Sequence, residues 1–372
     1  MIDSRIARLA DVLVNYSCGV KPGDRILIEA IDVPHEFTCE LVRTARAAGA
    51  IPLVKLESNQ IKRALMLAGT KEGWDLIADA EEGVMRKAQC YIGARGNPNV
   101  SELSDVRADL QKIYEETVWK RVHIEARVKG TRWVVLRWPS PSMAQMAEMS
   151  TESFEDFYFN VCTMDYAKMA TAMKPLAERM MKTDQVRLLG PHDTDLTFSI
   201  KGIPAVCCDG KMNIPDGEVF TAPVRESVNG VIHFNTPTLY RGETHTDIRL
   251  VFKKGRIIEA TSSNTAKLNE VLDADEGARH VGEFAIGFNP HCTRPMKDIL
   301  FDEKIAGSIH FTPGACYDEA SNGNKSTIHW DMILRQTPDC GGGQVYFDDK
   351  LVRKDGQFVT DELLGLNPDR LK

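Results

Sequence analysis

No stretch of this chain is apolar for long enough to cross a bilayer as a helix, which argues against a membrane-spanning protein. The first strand expected from the pattern is not followed by Gly-x-Gly-x-x-Gly, and Gly-x-x-x-x-Gly-Lys-Ser/Thr occurs nowhere. The sequence therefore lacks the loops that cradle nucleotide phosphates. Positive charge is scarce as well. Lys and Arg number 46 against 53 Asp and Glu, and the net charge of −7 speaks against a nucleic-acid binder. No Cys-x-x-Cys pair is present, and the nine cysteines are scattered. That odd count, with a start (Met1-Ile-Asp-Ser-Arg) lacking the basic-then-apolar layout of a signal peptide, leads to the expectation of a reducing cytoplasm. The thiols read as small buried hydrophobes. Internal repeats and low-complexity tracts are also missing.

What is there begins with length. A chain of 372 residues exceeds the size at which single cores stop growing, so two domains are expected. Residues 4–17 place Ile6, Leu9, Leu13 and Val14 on one helical face, with Ser4 as the expected N-cap. Apolar runs at Arg25-Ile-Leu-Ile-Glu-Ala30, Ile51-Pro-Leu-Val-Lys-Leu56, Gln89-Cys-Tyr-Ile-Gly93 and Arg132-Trp-Val-Val-Leu-Arg137 read as strands separated by helices. Such alternation implies right-handed crossovers and a mainly parallel sheet. Residues 139–183 look helical, and their methionines read as core packing. Beyond Asp184 the strands become short and alternating, with denser Gly and Pro. The expected organisation is an α/β domain at 1–184, a mainly parallel sheet flanked by helices. A β-rich α+β domain at 185–372 follows it.

The chemistry concentrates in that second half. Four segments carry metal-type ligands: Asp216-Gly-Glu-Val-Phe-Thr-Ala-Pro223, Gly282-Glu-Phe-Ala-Ile-Gly287, Ser308-Ile-His-Phe-Thr-Pro-Gly-Ala-Cys-Tyr317 and Ser326-Thr-Ile-His-Trp-Asp331. In a strand, residues i and i+2 share a face, so His329 and Asp331 can reach one ion while Trp330 packs behind. Imidazole with carboxylate suits Zn²⁺, Mn²⁺, Co²⁺ or Fe²⁺. His310 is expected to end an apolar strand, with Thr-Pro-Gly turning Tyr317 back towards it. A phenol ligates only once its pKa, near 10, has fallen. Glu283, set among Gly282 and Phe-Ala-Ile, is a carboxylate in apolar surroundings that needs a partner. Glu218 opens a strand after a tight turn. Not every such pair is a site, since His245-Thr-Asp247 has the same spacing and reads as structural. His35, His123, His192, His233, His280 and His291 show no ligand spacing and are read in the same way.

Taken together, these segments resemble the metal-binding segments of the aminopeptidase T/aminopeptidase S family of thermophilic-type metallo-aminopeptidases. The similarity begins at Leu13-Val-Asn-Tyr-Ser-Cys-Gly-Val-Lys-Pro-Gly-Asp24. It continues through Met143-Ala-Gln145, Asp193-Thr-Asp-Leu-Thr-Phe-Ser-Ile200 and Asn213-Ile-Pro-Asp-Gly-Glu-Val-Phe-Thr-Ala-Pro223. What the resemblance implies is two divalent ions (Zn, Co, Mn or Mg) held by Glu218, Glu283, His310, Tyr317, His329 and Asp331. It also implies short peptides as substrates and a homodimer. Two such ions about 3.5–4 Å apart would share a water and lower its pKa towards 7. Glu283 or Asp331 would bridge them, and Glu283 would alternatively move the proton to the leaving amine. A different class, the mononuclear iron ring-cleaving dioxygenases of the dihydroxypyridine type, is distantly similar. It would use His329 and Asp331 but wants a second histidine near the place of Glu283.

Overall fold

The computed structural model describes residues 3–372. By contacts the chain forms two compact units, Met1–Thr163 with Gly210–Ile214, and Met164–Asp209 with Pro215–Lys372. The sequence places the division near 184, where the strands change character. The contacts place it earlier because the helices Tyr166–Ala172 and Lys174–Lys182 bury Met169, Met173 and Leu176 with the second unit.

In the first unit, strands β1 (Arg25–Ile31), β2 (Ile51–Glu57), β3 (Cys90–Arg95) and β4 (Arg132–Arg137) are all parallel. The sheet order is β2-β1-β3-β4, completed by the two-residue strand Asn213–Ile214. The helices are α1 (Ser4–Asp11), α2 (His35–Ala47), α3 (Asn59–Ala68) and α4 (Lys71–Met85). The first of these continues helically to Ser17, and its N-cap is Asp3, whose carboxylate accepts from the Arg5 N–H at 2.9 Å; Ser4 is already helical. Because β1 has neighbours on both sides, right-handed crossovers place α2 on one face and α3–α4 on the other. Trp74, Ala78 and Met85 of α4 pack with Leu27, Tyr91 and the buried side of the 115–128 helix.

The second unit is built on antiparallel sheets. An eight-stranded sheet contains the strands Gln185–Leu189 and Asp195–Ser199, and a five-stranded sheet carries the ligand-bearing segments. Phe198 of the larger sheet meets Phe284 and Phe311 of the smaller at ring-centroid distances of 5.0 and 5.1 Å, so an aromatic core joins them. Arg353, 1% exposed, spans the same interface. Its guanidinium donates to the Ser308 carbonyl and to Gln336 Oε1, both at 2.8 Å, and Gln336 in turn donates to the Leu189 carbonyl. Among the described residues, no helix is long and apolar enough to cross a membrane.

Candidate metal centre

The five-stranded sheet runs Met332–Arg335, Ser308–Pro313, Val281–Gly287, Glu218–Thr221, Val206–Cys208. Every pairing in it is antiparallel. Alternation puts Glu283, Ala285 and Gly287 on one face of the Val281–Gly287 strand, while Phe284 and Ile286 point into the aromatic core. Ala285 lies opposite both Phe220 and His310, and Gly287 lies opposite both Glu218 and Ser308. Small residues at these two positions leave room for the polar side chains around them. A Cβ on Gly287 would come within 2.7 Å of the Glu303 carbonyl, so glycine lets the 303–305 segment close over the sheet.

His310 lies in the middle of its strand, which continues through Pro313, and does not end it as expected. The His329–Asp331 segment is extended but precedes the strand proper, which begins at Met332. It is held by an isolated bridge from His329 to Gly314 and by the Trp330 N–H donating to the Pro313 carbonyl at 3.1 Å. Gly314 has φ +111°, and a Cβ there would meet the Ile328 carbonyl at 2.1 Å, so this crossing requires glycine. Trp330, 2% exposed, stacks on Tyr240 at 4.4 Å and donates to Thr238 Oγ1. It packs behind while His329 and Asp331 face the opposite way. His245 sits edge-on to Trp330 and against Ser262, a buried packing role.

Five of the six expected side chains converge. Glu218, Glu283 and His310 offer ligand atoms within 4.8 Å of one another, and so do Glu283, His329 and Asp331. His310 Nε2 lies 3.2 Å from Glu283 Oε1, and His310 Nδ1 lies 3.5 Å from Glu218 Oε2. His329 Nε2 lies 3.2 Å from Glu283 Oε2 and 3.3 Å from Asp331 Oδ1. The contact of His310 Nε2 with Glu283 Oε1 is a hydrogen bond, whereas the other three are ion-pair distances without one. Glu218 Oε2, His310 Nδ1 and His329 Nε2 are all buried with no hydrogen-bond partner. Such orphaned acceptors and donors, turned towards one another, fit a cation better than they fit a hydrogen-bonded network. The outer partners fit too. His329 Nδ1 is 2.8 Å from the Ala315 carbonyl, which fixes the proton on that nitrogen and leaves Nε2 free to ligate, and Thr312 donates to Asp331 Oδ1 at 2.6 Å.

Tyr317, the sixth, is about half exposed, with its ring 4.8 Å from that of His329 and 5.5 Å from that of Phe220. Desolvation and then the carboxylates Asp331 and Glu283 push its pKa up, so the phenol keeps its proton unless a cation lies beside it.

Sequence reasoning missed Glu303 and Lys304. In Phe301-Asp-Glu-Lys304 they resemble a solvated charge run, yet Lys304 is 1% exposed. Its ammonium sits 2.5 Å from Glu218 Oε1, 2.7 Å from Glu303 Oε1 and 3.4 Å from Asp216 Oδ1. The available signal was position: the run is sandwiched between Ile299-Leu300-Phe301 and the buried Ile305, just ahead of the His310 strand.

Electrostatics follow from this crowding. Burial disfavours charge on His310, but Glu218 and Glu283 outweigh it and push its pKa up to about 10. His329 is pushed up to about 12, with Asp331 and Glu283 overcoming its burial. Asp331 and Glu283 are correspondingly held low by the two imidazoles, against their own desolvation. Burial raises Glu303 to about 8.

Comparison with known proteins adds family and fold. The model of the thermophilic metalloprotease (M29) family matches residues 2–358. Aminopeptidase T of Thermus thermophilus is 34% identical over 139 residues, 33% of this chain and 34% of that one, so the alignment spans about a third of that relative. The solved structure of wild-type AmpT from Thermus thermophilus superposes with a TM-score of 0.78 at 21% identity, covering 97% of this chain and 100% of that one. The 2,5-dihydroxypyridine dioxygenase of Pseudomonas putida KT2440 superposes at 0.62 with 13% identity, covering 97% and 99%. At those identities the structural likeness concerns the fold alone.

Proposed function

The chain belongs to the thermophilic metalloprotease (M29) family, and from that premise we propose that it is a metal-dependent aminopeptidase acting on short peptides. In this reading two divalent cations are held in one buried cluster, by Glu218, Glu283 and His310 on one side and Glu283, His329 and Asp331 on the other. The observation that carries it is the pair of overlapping ligand triads sharing Glu283. Glu283, whose two oxygens face different imidazoles, would be common to both triads, which favours a ligand's role for it over that of a free proton carrier. Charge supports the count. With neutral imidazoles, Asp216, Glu218, Glu283 and Asp331 against the ammonium of Lys304 leave a formal −3, and −4 once bound cations draw the proton off Glu303, an excess that one divalent cation would not balance.

Bound divalent cations supply Lewis acidity towards a peptide carbonyl and lower the pKa of water. The protein's own side chains do the rest. Thr312 and the Ala315 carbonyl fix the orientation of Asp331 and His329. Lys304 keeps Glu218 in place through a charge-assisted bond, and Tyr317 stands beside His329 at the exposed side of the cluster. Native metal choice among Zn, Co, Mn and Mg follows availability, because these ligands accept several.

The dioxygenase fold likeness raises a rival, a single iron with two imidazoles and one carboxylate. A glutamate at 283 disfavours it. Metal analysis separates the two: two Zn, Co or Mn per chain is the expected result, and one iron with O₂ uptake would replace the peptidase reading. His329→Ala is expected to abolish metal-dependent cleavage of aminoacyl-anilides, and cleavage that persists in rigorously metal-free buffer refutes the proposal. A substrate with a blocked N-terminus should resist. A homodimer is the assembly proposed, and light scattering on a sizing column measures it.

A further inference from the structure

We propose that the first unit binds a small oxyanion, a carboxylate or phosphate no larger than an amino acid, at the carboxyl ends of its parallel strands. The cavity there measures about 240 Å³. Its wall includes Ile31, Glu57, Arg95 and Arg137, the last residues of β1, β2, β3 and β4. They are not scattered along the sheet. Register pairs Ile31 with both Glu57 and Arg95, and Arg95 with Arg137, so the four form one continuous row across it. The row crosses the point where the order β2-β1-β3 reverses direction, where crossovers leave a crevice between helices on opposite faces.

The polar groups of this cavity are unequally satisfied. Glu29 accepts from the Tyr91 hydroxyl and from Lys55 Nζ at 3.1 Å, and Glu57 pairs with the same Lys55 at 2.7 Å. Glu102 accepts from Asn99. The donors are less well supplied. Arg95 Nε is buried with no acceptor, its guanidinium lying 5.6 Å from the Trp119 ring. Lys62 gives one proton to Tyr114 Oη at 2.6 Å and faces that ring, with Glu57 and Glu29 near enough to favour its charge but not in ion-pair contact. His123, 3% exposed, also lines the cavity, with Nδ1 unpartnered. Arg95 Nε and the Lys62 ammonium thus keep donor capacity that the carboxylates of the cavity do not take up, and a small anion would meet it. Burial lowers the pKa of Lys62, and an anion beside it would relieve that strain on its charge. Size limits the ligand further, because drug-sized molecules need roughly 300–1,000 Å³. The planar Arg95 fork suits two oxygens of a carboxylate or phosphate. This proposal does not depend on the peptidase reading.

The test is isothermal titration of the metal-loaded full chain with inorganic phosphate, acetate, succinate and leucine, alongside acetamide and leucinamide as neutral-ended counterparts. At least one anion is expected to bind, and its amide counterpart should not where one exists. Arg95→Gln and Lys62→Met should each weaken that binding at least tenfold, and calorimetric unfolding checks that the variants remain folded. Should Arg95→Gln not fold, Lys62→Met decides alone. His329→Ala should leave the affinity unchanged. Absence of binding across the panel overturns the proposal, and so does equal binding of the amides. Binding lost in His329→Ala but kept in Lys62→Met also overturns it, since the ligand would then sit at the metal cluster.

Discussion

At the level of single residues, His310 and His329 set the pH behaviour of the metal-free chain. Their folded-state pKa values, about 10 and about 12, lie above the ordinary 6.5. A raised pKa contributes stability that is complete below the unfolded value and lost as pH rises through the folded one. Asp331 and Glu283 stay ionised throughout that window, while Glu303 and Asp302, both raised by burial to about 8, add to the same downward slope up to that pH. The metal-free melting temperature should therefore fall between pH 6.5 and pH 10, which scanning calorimetry in chelator will read. Ligation needs neutral imidazole, so metal loading at pH 7 should release protons, one from each histidine. Titration in buffers of different ionisation enthalpy counts them. Lys304→Met removes the buried counter-charge of Glu218, Glu303 and Asp216, and chemical denaturation should show a loss of about 3–5 kcal/mol, partly restored by added divalent metal. Glu283 stood out as a candidate because an apolar strand makes a polar residue conspicuous, and His329 with Asp331 because residues two apart share a face. Glu303 and Lys304 did not, since charges in a row look the same on a wet surface and over a buried cluster.

Elements were read with unequal success, for a physical reason. Strand β4 falls where the sequence puts it, because its apolar run is bounded by charge at both ends. The strand Ser308–Pro313 was cut short at His310, because Thr-Pro-Gly signals a turn and the pairing with Val281–Gly287 that carries the strand on to Pro313 is long-range. Contacts group the helices between 164 and 183 with the second unit where the sequence groups them with the first, since helical periodicity shows that a face is buried without saying against what. The bridge between Gly314 and His329 is a property of two elements together. Gly314→Ala should weaken metal affinity at least tenfold and destabilise the fold by more than about 1 kcal/mol, because positive φ and the Ile328 carbonyl both oppose a Cβ. Equilibrium dialysis against zinc and denaturant titration measure the two effects separately.

Across the molecule, the fold class was legible because two patterns, strand alternating with helix and then dense short strands, each admit few architectures. The parallel order and the antiparallel sheets follow those patterns. The convergence of the second unit's side chains was not legible from periodicity, since no rule of spacing brings Glu218 beside His310. Stripping the metals should lower the melting temperature at pH 7, because the carboxylate cluster then loses its counter-charge, and readdition should restore it. Arg353 carries one more consequence. It is a crossbeam: anchored in the large sheet, it grips the backbone of the strand that bears His310. The proposed centre would thus borrow its stiffness from a residue that touches none of the candidate ligands. Arg353→Met should leave every ligand present yet let their mutual spacing wander, so that the protein tolerates ions of different radius more evenly while holding each of them less tightly.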